Sequence, residues 1–218
     1  MNTQIISSKH LFESDKRLDS KSYLNEGRLN QIKIYKSNHK IELLKNLTSD
    51  IFNGARFKRY YVKNKEFGIP FMGSSDMLKL YIDDLKFISK KYSKNINKLI
   101  LEKNWILVSC SGTIGNTVFT NDDFVGKTAS QHIMRIISND IIKSGYLYAY
   151  LSSKYGHSFL TQGTYGAVIQ HIEPNHIKDV PVPILPEKQQ LEIHQLIIDS
   201  SILKVEANKF LKESIELF

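Results

Sequence analysis

The last part of the chain has the clearest pattern. Leu196, Leu203, Phe210 and Leu217 recur every seven residues, and Ile193, Ser200, Ala207 and Ser214 recur on the alternate position. This 3-4-3-4 spacing predicts a helix with a pairing seam, large on one side and small on the other. The stretch from Glu187 to Phe218 would reach roughly 48 Å at 1.5 Å per residue. Ile198, Ile202 and Val205 widen the apolar stripe, so a helix lying along its own domain remains open as a second reading. Directly upstream, Val180 to Gln190 reads VPVPILPEKQQ. Proline suits a first helical turn but not a helix interior. Pro181, Pro183 and Pro186 therefore predict an extended exit from a globular unit that is complete before the helix begins.

Upstream of that junction the apolar runs are short. Gly68–Gly73, Leu85–Ile88, Trp105–Val108, Thr117–Thr120, His132–Ile137 and Ala167–Ile172 are strand candidates. Ser111 to Gly115 (SGTIG) and Gly163 to Gly166 read as turns, since glycine supplies backbone angles other residues resist. Tyr146, Leu147, Tyr150 and Leu151 predict a helix within Ile142–Tyr155, and Lys90–Lys103 also has helical spacing. Residues 1–40 are polar and mixed, a loop with a short helix. Ile41–Asn53 carries two apolar clusters before a break at Gly54. Short strands and scattered helices without regular alternation predict an α+β fold. The expected division is a globular domain over 1–186 and a spacer or dimerisation helix over 187–218.

Composition narrows the function. In 218 residues, 41% are hydrophobic, enough for a real core. One cysteine, Cys110, excludes an internal disulfide framework and fits a reducing cytoplasm. The polar N-terminus has no apolar run of a signal peptide, and no window suits a membrane span. Charge is asymmetric: residues 1–100 hold 20 Lys/Arg against 10 Asp/Glu, while residues 101–218 hold 10 against 12. All the excess positive charge lies in the first half, which favours a polyanion partner there. Lysine enrichment in an AT-rich genome does not account for that asymmetry. Residues 56–65 read RFKRYYVKNK, basic side chains interleaved with aromatic ones.

Signatures of catalysis are missing. The seven histidines lie far apart, and His171 and His176 lack the cysteine pair that would complete a zinc pattern. Gly126-Lys127-Thr128 resembles the end of a phosphate-binding loop, but Asn121 stands where its first glycine belongs. No serine sits in a G-x-S-x-G elbow, and neither a nuclease carboxylate–lysine pattern nor an amino-methyltransferase Pro-Pro-Tyr element occurs. The expectation is a binding module with no catalytic residue, no metal and no cofactor.

The order of motifs resembles one family. WILVSCSGTIGNTVF, KTASQHIMRI, GYLYAYLSS and GTYGAVIQHIEPNHIKDVPVPILPEKQQLEI resemble in sequence the target-recognition domain of type I restriction–modification specificity subunits. RLDSKSY, NGARFKRYYV and GIPFMGSSD resemble the opening of such domains more loosely. The resemblance implies a non-catalytic reader of double-stranded DNA. A full subunit of that family carries two such domains, each reading half of a split site. Paired helices separate the domains and dock DNA adenine methyltransferase subunits, and a restriction/translocase subunit joins the complex. With one domain and one helix, this chain would be a half-subunit or a fragment. It would pair with a copy of itself or a second half-subunit through Ile193, Leu196, Leu203, Ala207, Phe210 and Leu217. Two-fold pairing implies a palindromic site with an unspecified spacer.

Candidate DNA contacts follow from residue chemistry. Arg56, Lys58, Arg59, Lys63 and Lys65 suit phosphates, with Tyr60 (and its neighbour Tyr61) as packing or stacking partners; Arg56 or Arg59 also suits guanine. Ser74, Ser75 and Asp76 sit on a turn that offers side chains to base edges. Gln131 has the paired donor and acceptor that adenine requires, or else satisfies a buried backbone group. Thr164 and Tyr165 are presented by a glycine-flanked turn, and Lys127 and Thr128 are further phosphate candidates. Ser111, Gly112 and Gly115 read first as architecture. Three alternatives stay open: the recognition domain of a fused, type IIG-like methyltransferase–nuclease, another enzyme acting on nucleic acid, and a coiled-coil adaptor.

Overall fold

The structure, a computed structural model, describes Ser8 and residues 26–54, 56–82, 84–93, 96–161 and 171–218. Along them run α1 (Glu26–Tyr35), β1 (Lys40–Leu43), β2 (Thr48–Asn53), β3 (Tyr61–Val62), β4 (Gly68–Met72) and β5 (Lys86–Ser89). Then come β6 (Ile106–Ser109), β7 (Thr117–Phe119), β8 (Thr128–Ala129), β9 (Ile133–Ser138), α2 (Ser144–Ser152) and α3 (Lys154–Thr161). The chain closes with α4 (Pro174–Ile177), β10 (Pro181–Ile184) and α5 (Glu187–Glu216). The expected α+β class holds.

Two four-stranded sheets organise the domain. The first, in order β2-β9-β6-β7, is antiparallel throughout. All four residues of β6 are buried, because apolar material covers both faces. Ile106 and Val108 join the core under α2, α3 and the start of α5, while Leu107 joins the core shared with the second sheet. A continuous apolar run with no alternation is what such two-sided burial requires. The second sheet has the order β3-β5-β4-β8, and its β4/β8 pair is parallel, Phe71 opposite Thr128 and Met72 opposite Ala129. The segments after Met72 and Ala129 therefore leave the sheet side by side.

Two expectations need correction. Lys90–Lys103 is not one helix. Its described residues form turns and a 3-10 turn at Ile96–Leu99, because the backbone at Ile100 and Leu101 is drawn off to pair with Lys127 and Thr128. Nor is VPVPILP a strut leaving the domain. Pro181–Ile184 is β10, paired antiparallel with β1. Proline offers no N–H, so such a strand belongs at an edge. The carbonyls of Pro181 and Pro183 accept the hydroxyls of Tyr150 and Tyr146, one turn apart on α2. The helical spacing of the tyrosines is thus matched by the alternate spacing of the prolines.

The second reading of the last helix, lying along its own domain, holds for one face. One face of α5 lies on its own domain: Ile193, Ile197 and Ile198 pack on the core. The Gly145 N–H donates to His194 Nδ1 at 3.1 Å, and Asn208 Nδ2 donates to Asp123 Oδ2 at 2.7 Å. Gly145 is required by this approach, since a Cβ there would stand 2.7 Å from His194 Nδ1. The seam faces outward instead: Leu196, Leu203, Phe210 and Leu217 are between 63% and 87% exposed. Ala207 is exposed with them, whereas Ile193 turns to the core.

Candidate nucleic-acid interface

Exposure alternates along residues 56–60, then shifts by one position at Tyr61. Phe57 and Arg59 turn inward and are partly buried; Arg56, Lys58, Tyr60 and Lys63 point to solvent. Phe57 packs with Phe71, Ile88 and Ile96. Outside, Lys58 lies over the Tyr60 ring at 5.2 Å, and Tyr60 meets Tyr92 with ring centroids 5.7 Å apart. Lys86 over Tyr61, Lys65 over Phe87 and Lys91 over Tyr92 extend this surface of cations and rings. Among the described residues, no carboxylate pairs with Arg56, Lys58, Arg59, Lys63 or Lys65. Charges left unpaired on a folded surface are free to meet an anion. Sequence reading found residues 56–65 but missed Lys86, Lys91 and Tyr92, which only strand pairing brings beside them.

A polar chain runs inward from this face. Arg59 stacks on Phe71, 4.7 Å from its centroid, and its Nη2 donates to Gln131 Oε1 at 2.5 Å. Gln131 Nε2 meets His132 Nε2 at 3.0 Å, and His132 Nδ1 meets Ser111 Oγ at 2.8 Å. Ser111 Oγ also meets His171 Nδ1 at 2.8 Å, and His171 Nε2 lies 3.6 Å from Glu173 Oε1. Arginine can only donate, so the Gln131 oxygen must face it and the amide nitrogen must face His132. His132 Nε2 is then the acceptor and Nδ1 carries the proton, an assignment made from the network. Ser111 in turn donates to His171. Burial holds His132 below its usual pKa, and the charges of Arg59, His171 and Arg56 act in the same sense. A neutral imidazole is what the chain of donors requires. Scattered in sequence, His132 and His171 converge on one serine. The one sequence signal for this was the tripeptide Gln-His-Ile, which occurs at 131–133 and again at 170–172.

The loop presenting Gln131 is held from beneath. Arg135 on β9 is fully buried and opposite Leu107 and Phe52. Its Nη1 donates to the carbonyls of Ser130 and Ile133 at 3.0 and 2.6 Å, and Nη2 to that of Ala129 at 2.5 Å. No acid accompanies it among the described residues; burial pulls it down to about 10, which still leaves it charged at neutral pH. The Cys110 N–H holds the His132 carbonyl at 2.9 Å, and the Ser130 N–H holds that of Met72. Ser111, Gly112 and Gly115 are architectural as expected, Gly112 and Gly115 having φ of 76° and 82°. Ser111 adds the hydroxyl that joins the two imidazoles.

Burial pushes the Cys110 thiol up to about 11, against smaller opposing pulls from Ser111 and Arg135. Thiolate is the reactive form, so at pH 8 native Cys110 should alkylate roughly a hundredfold more slowly than a free thiol. Mass-resolved labelling with iodoacetamide, before and after unfolding, measures this. Fast labelling of the folded protein would mean the strand–turn at 109–116 opens readily.

The other candidates divide. Ser75 is exposed and Ser74 half-buried, on the turn that leaves β4 beside the Gln131 loop. Asp76 is committed to closing that turn: its Oδ2 accepts the Gly73 N–H at 2.9 Å, and it pairs with Lys79. Burial alone would raise its carboxyl, but the bonds from Lys79 and Gly73 outweigh it and hold it below the ordinary range. Thr128 must be withdrawn as a phosphate contact. It is fully buried and donates to the Pro70 carbonyl, because the short β8 needs it inside. Lys127 donates to the Asp123 carbonyl at the opposite end of β8 from Gln131. Thr164 and Tyr165 lie outside the described residues.

The fold is similar to solved structures of restriction–modification proteins. One comes from work on complex assembly and conformational transition of the type I R-M system, at 14% identity and TM-score 0.57 over 95% of this chain and 52% of that one. Another is the HsdS subunit from Thermoanaerobacter tengcongensis, at 15% identity and TM-score 0.54 over 93% and 49%. The type IIG restriction endonuclease BpuSI is similar at 10% identity and TM-score 0.50 over 81% and 28%. At these identities the likeness is one of fold, and the chain spans about half the length of the first two. A search of curated proteins returns no match. The sequence profile described as type I restriction modification DNA specificity domain matches residues 47–217. The chain belongs to that family of specificity domains.

Proposed function

We propose that this domain reads a short run of base pairs in one half of a split duplex DNA site, without chemistry of its own. The observation that carries this is the set of exposed cations with no acid beside them among the described residues, joined through Arg59 to the Gln131 loop. Such a surface gains most by meeting phosphates and releasing their counterions. Family membership supports DNA as that polyanion. In this reading Arg56, Lys58, Lys63 and Lys65 fix register on the backbone, while Ser74, Ser75 and Gln131 face bases.

Residues 1–186 form the reading head and 187–218 the spacer and pairing helix. Methyltransferase subunits dock along the helix and supply the adenine chemistry, and a translocase subunit completes the assembly. The site of action is the cytoplasm; no helix among the described residues is long and apolar enough to cross a membrane. The outward seam pairs with a second copy of the chain. A Leu203→Glu, Phe210→Glu variant should then halve the mass measured by sedimentation, with DNA contact by each head retained. An unchanged mass would remove the seam from assembly.

The main test is selection from random duplexes by the chain together with methyltransferase subunits. One enriched site is expected. If none emerged, an adaptor role would replace the reading. Methyl transfer or cleavage by the purified chain alone would make it an enzyme.

A further inference from the structure

The hydrogen bonds around Gln131 determine more than its position. A glutamine amide has two N–H groups and two lone pairs on its oxygen. Arg59 occupies one lone pair and His132 takes one N–H. Among the described residues one acceptor and one donor remain, on a half-buried residue beside the turn at Ser74 and Ser75. An unheld glutamine offers that pair in either order, since turning the amide over exchanges oxygen and nitrogen. Here the flip is blocked twice. It would set N–H against the donor-only guanidinium of Arg59 and oxygen against the unprotonated Nε2 of His132. Restoring the second contact would require His132 to exchange its tautomer, which breaks the bond to Ser111 unless that hydroxyl turns away from His171.

We propose that Gln131 is a specificity-determining residue that reads one adenine in the major groove, with Arg59 and His132 as positioning residues that fix its amide in a single orientation. The inference rests on the DNA-reading function above. A fixed acceptor–donor pair matches adenine, which presents N6–H beside the N7 acceptor; guanine presents two acceptors there. Arg59 is itself fixed by stacking on Phe71, and the loop backbone by Arg135 and Cys110. Each layer holds the next, so the orientation reaches back into the core.

The experiment is selection from random duplexes by the full assembly, with the base preference read position by position. Gln131→Ala should abolish preference at one adenine position and leave every other position and the salt dependence unchanged. Gln131→Glu replaces the donor by an acceptor and should move that same position from adenine toward cytosine, whose N4 donates. Arg59→Met keeps the stacking on Phe71 but frees the amide, so it should broaden that position specifically, beyond any uniform loss of affinity. Each variant is checked for an unchanged melting curve. An unaltered profile in Gln131→Ala overturns the inference, and so does broadening at several positions together. Those results leave the DNA-reading function intact, because the parent protein still enriches its site. If the parent enriches no site, both fail, and the parent measurement alone identifies that case.

Discussion

Arg135→Met is expected to destabilise the domain by about 2–4 kcal/mol. Methionine nearly preserves the volume but takes the guanidinium donor from the carbonyls of Ala129 and Ile133, while that of Ser130 keeps the Ile133 N–H. An unsatisfied buried acceptor costs about 1–3 kcal/mol, and two are created. Against this stands the relief of no longer burying an unpaired guanidinium, itself several kcal/mol. The net loss is large beside a total stability of about 5–15 kcal/mol. Arg135→Lys should do no better, since one ammonium on a shorter reach cannot span three carbonyls and sheds its proton more readily when buried. Urea unfolding measures the loss. DNA affinity, measured at a temperature where the variant is folded, should also fall, because Gln131 sits between the clamped carbonyls. Unfolding at the parent's midpoint together with parent-like binding would show that the arginine clamps nothing that matters.

The second large effect concerns salt. Each phosphate contact contributes about −0.9 to the slope of log affinity against log salt. Replacing Arg56, Lys58 and Lys63 together by glutamine should therefore flatten the slope by about 2.7. Between 50 and 200 mM salt the advantage of the parent over the variant shrinks about forty-fold. The preferred sequence should stay the same, because these side chains position rather than specify. The fold should also be unaffected, since all three are exposed and without acidic partners among the described residues. Fluorescence anisotropy titrations across the salt range give both slopes. Equal slopes would move the phosphate surface elsewhere. An altered sequence preference would place one of the three in a groove.

What the sequence made legible follows from range. Ile106–Ser109 was visible as an apolar run because a strand buried on both faces leaves few polar positions, and Ile133–Ser138 was visible through the apolar residues around Arg135. The SGTIG turn was visible because two of its residues need left-handed backbone angles. Residues 56–65 were visible because their charge is local. The Arg59–Gln131–His132–Ser111–His171 chain was not visible as a unit, since its members are up to 72 residues apart at a single bond. Arg135 was hidden differently: an arginine in a strand reads as exposed, and only the partner carbonyls make burial tolerable. Thr128 misled for the converse reason. Beside a glycine and a lysine it looked like a loop, yet a two-residue strand draws it inside. The last helix was legible as a helix, but spacing alone could not say which stripe meets the domain: Ile193, placed on the seam, turns to the core, and Ile202, placed on the domain stripe, is exposed.

The docking of α5 has a mechanical consequence. Its anchors at His194 and Asn208 are about 21 Å apart along the axis, while the length beyond Asn208 to Glu216 is only about 12 Å. A rod gripped over a base longer than its overhang behaves as a lever, and its tip repeats every tilt of the body that grips it. On the proposed function, the angle at which the head meets a duplex would arrive at the far end of the helix with little loss. A companion docked there would experience the engagement as torque, so a correctly seated head and a misplaced one would hold it in different orientations.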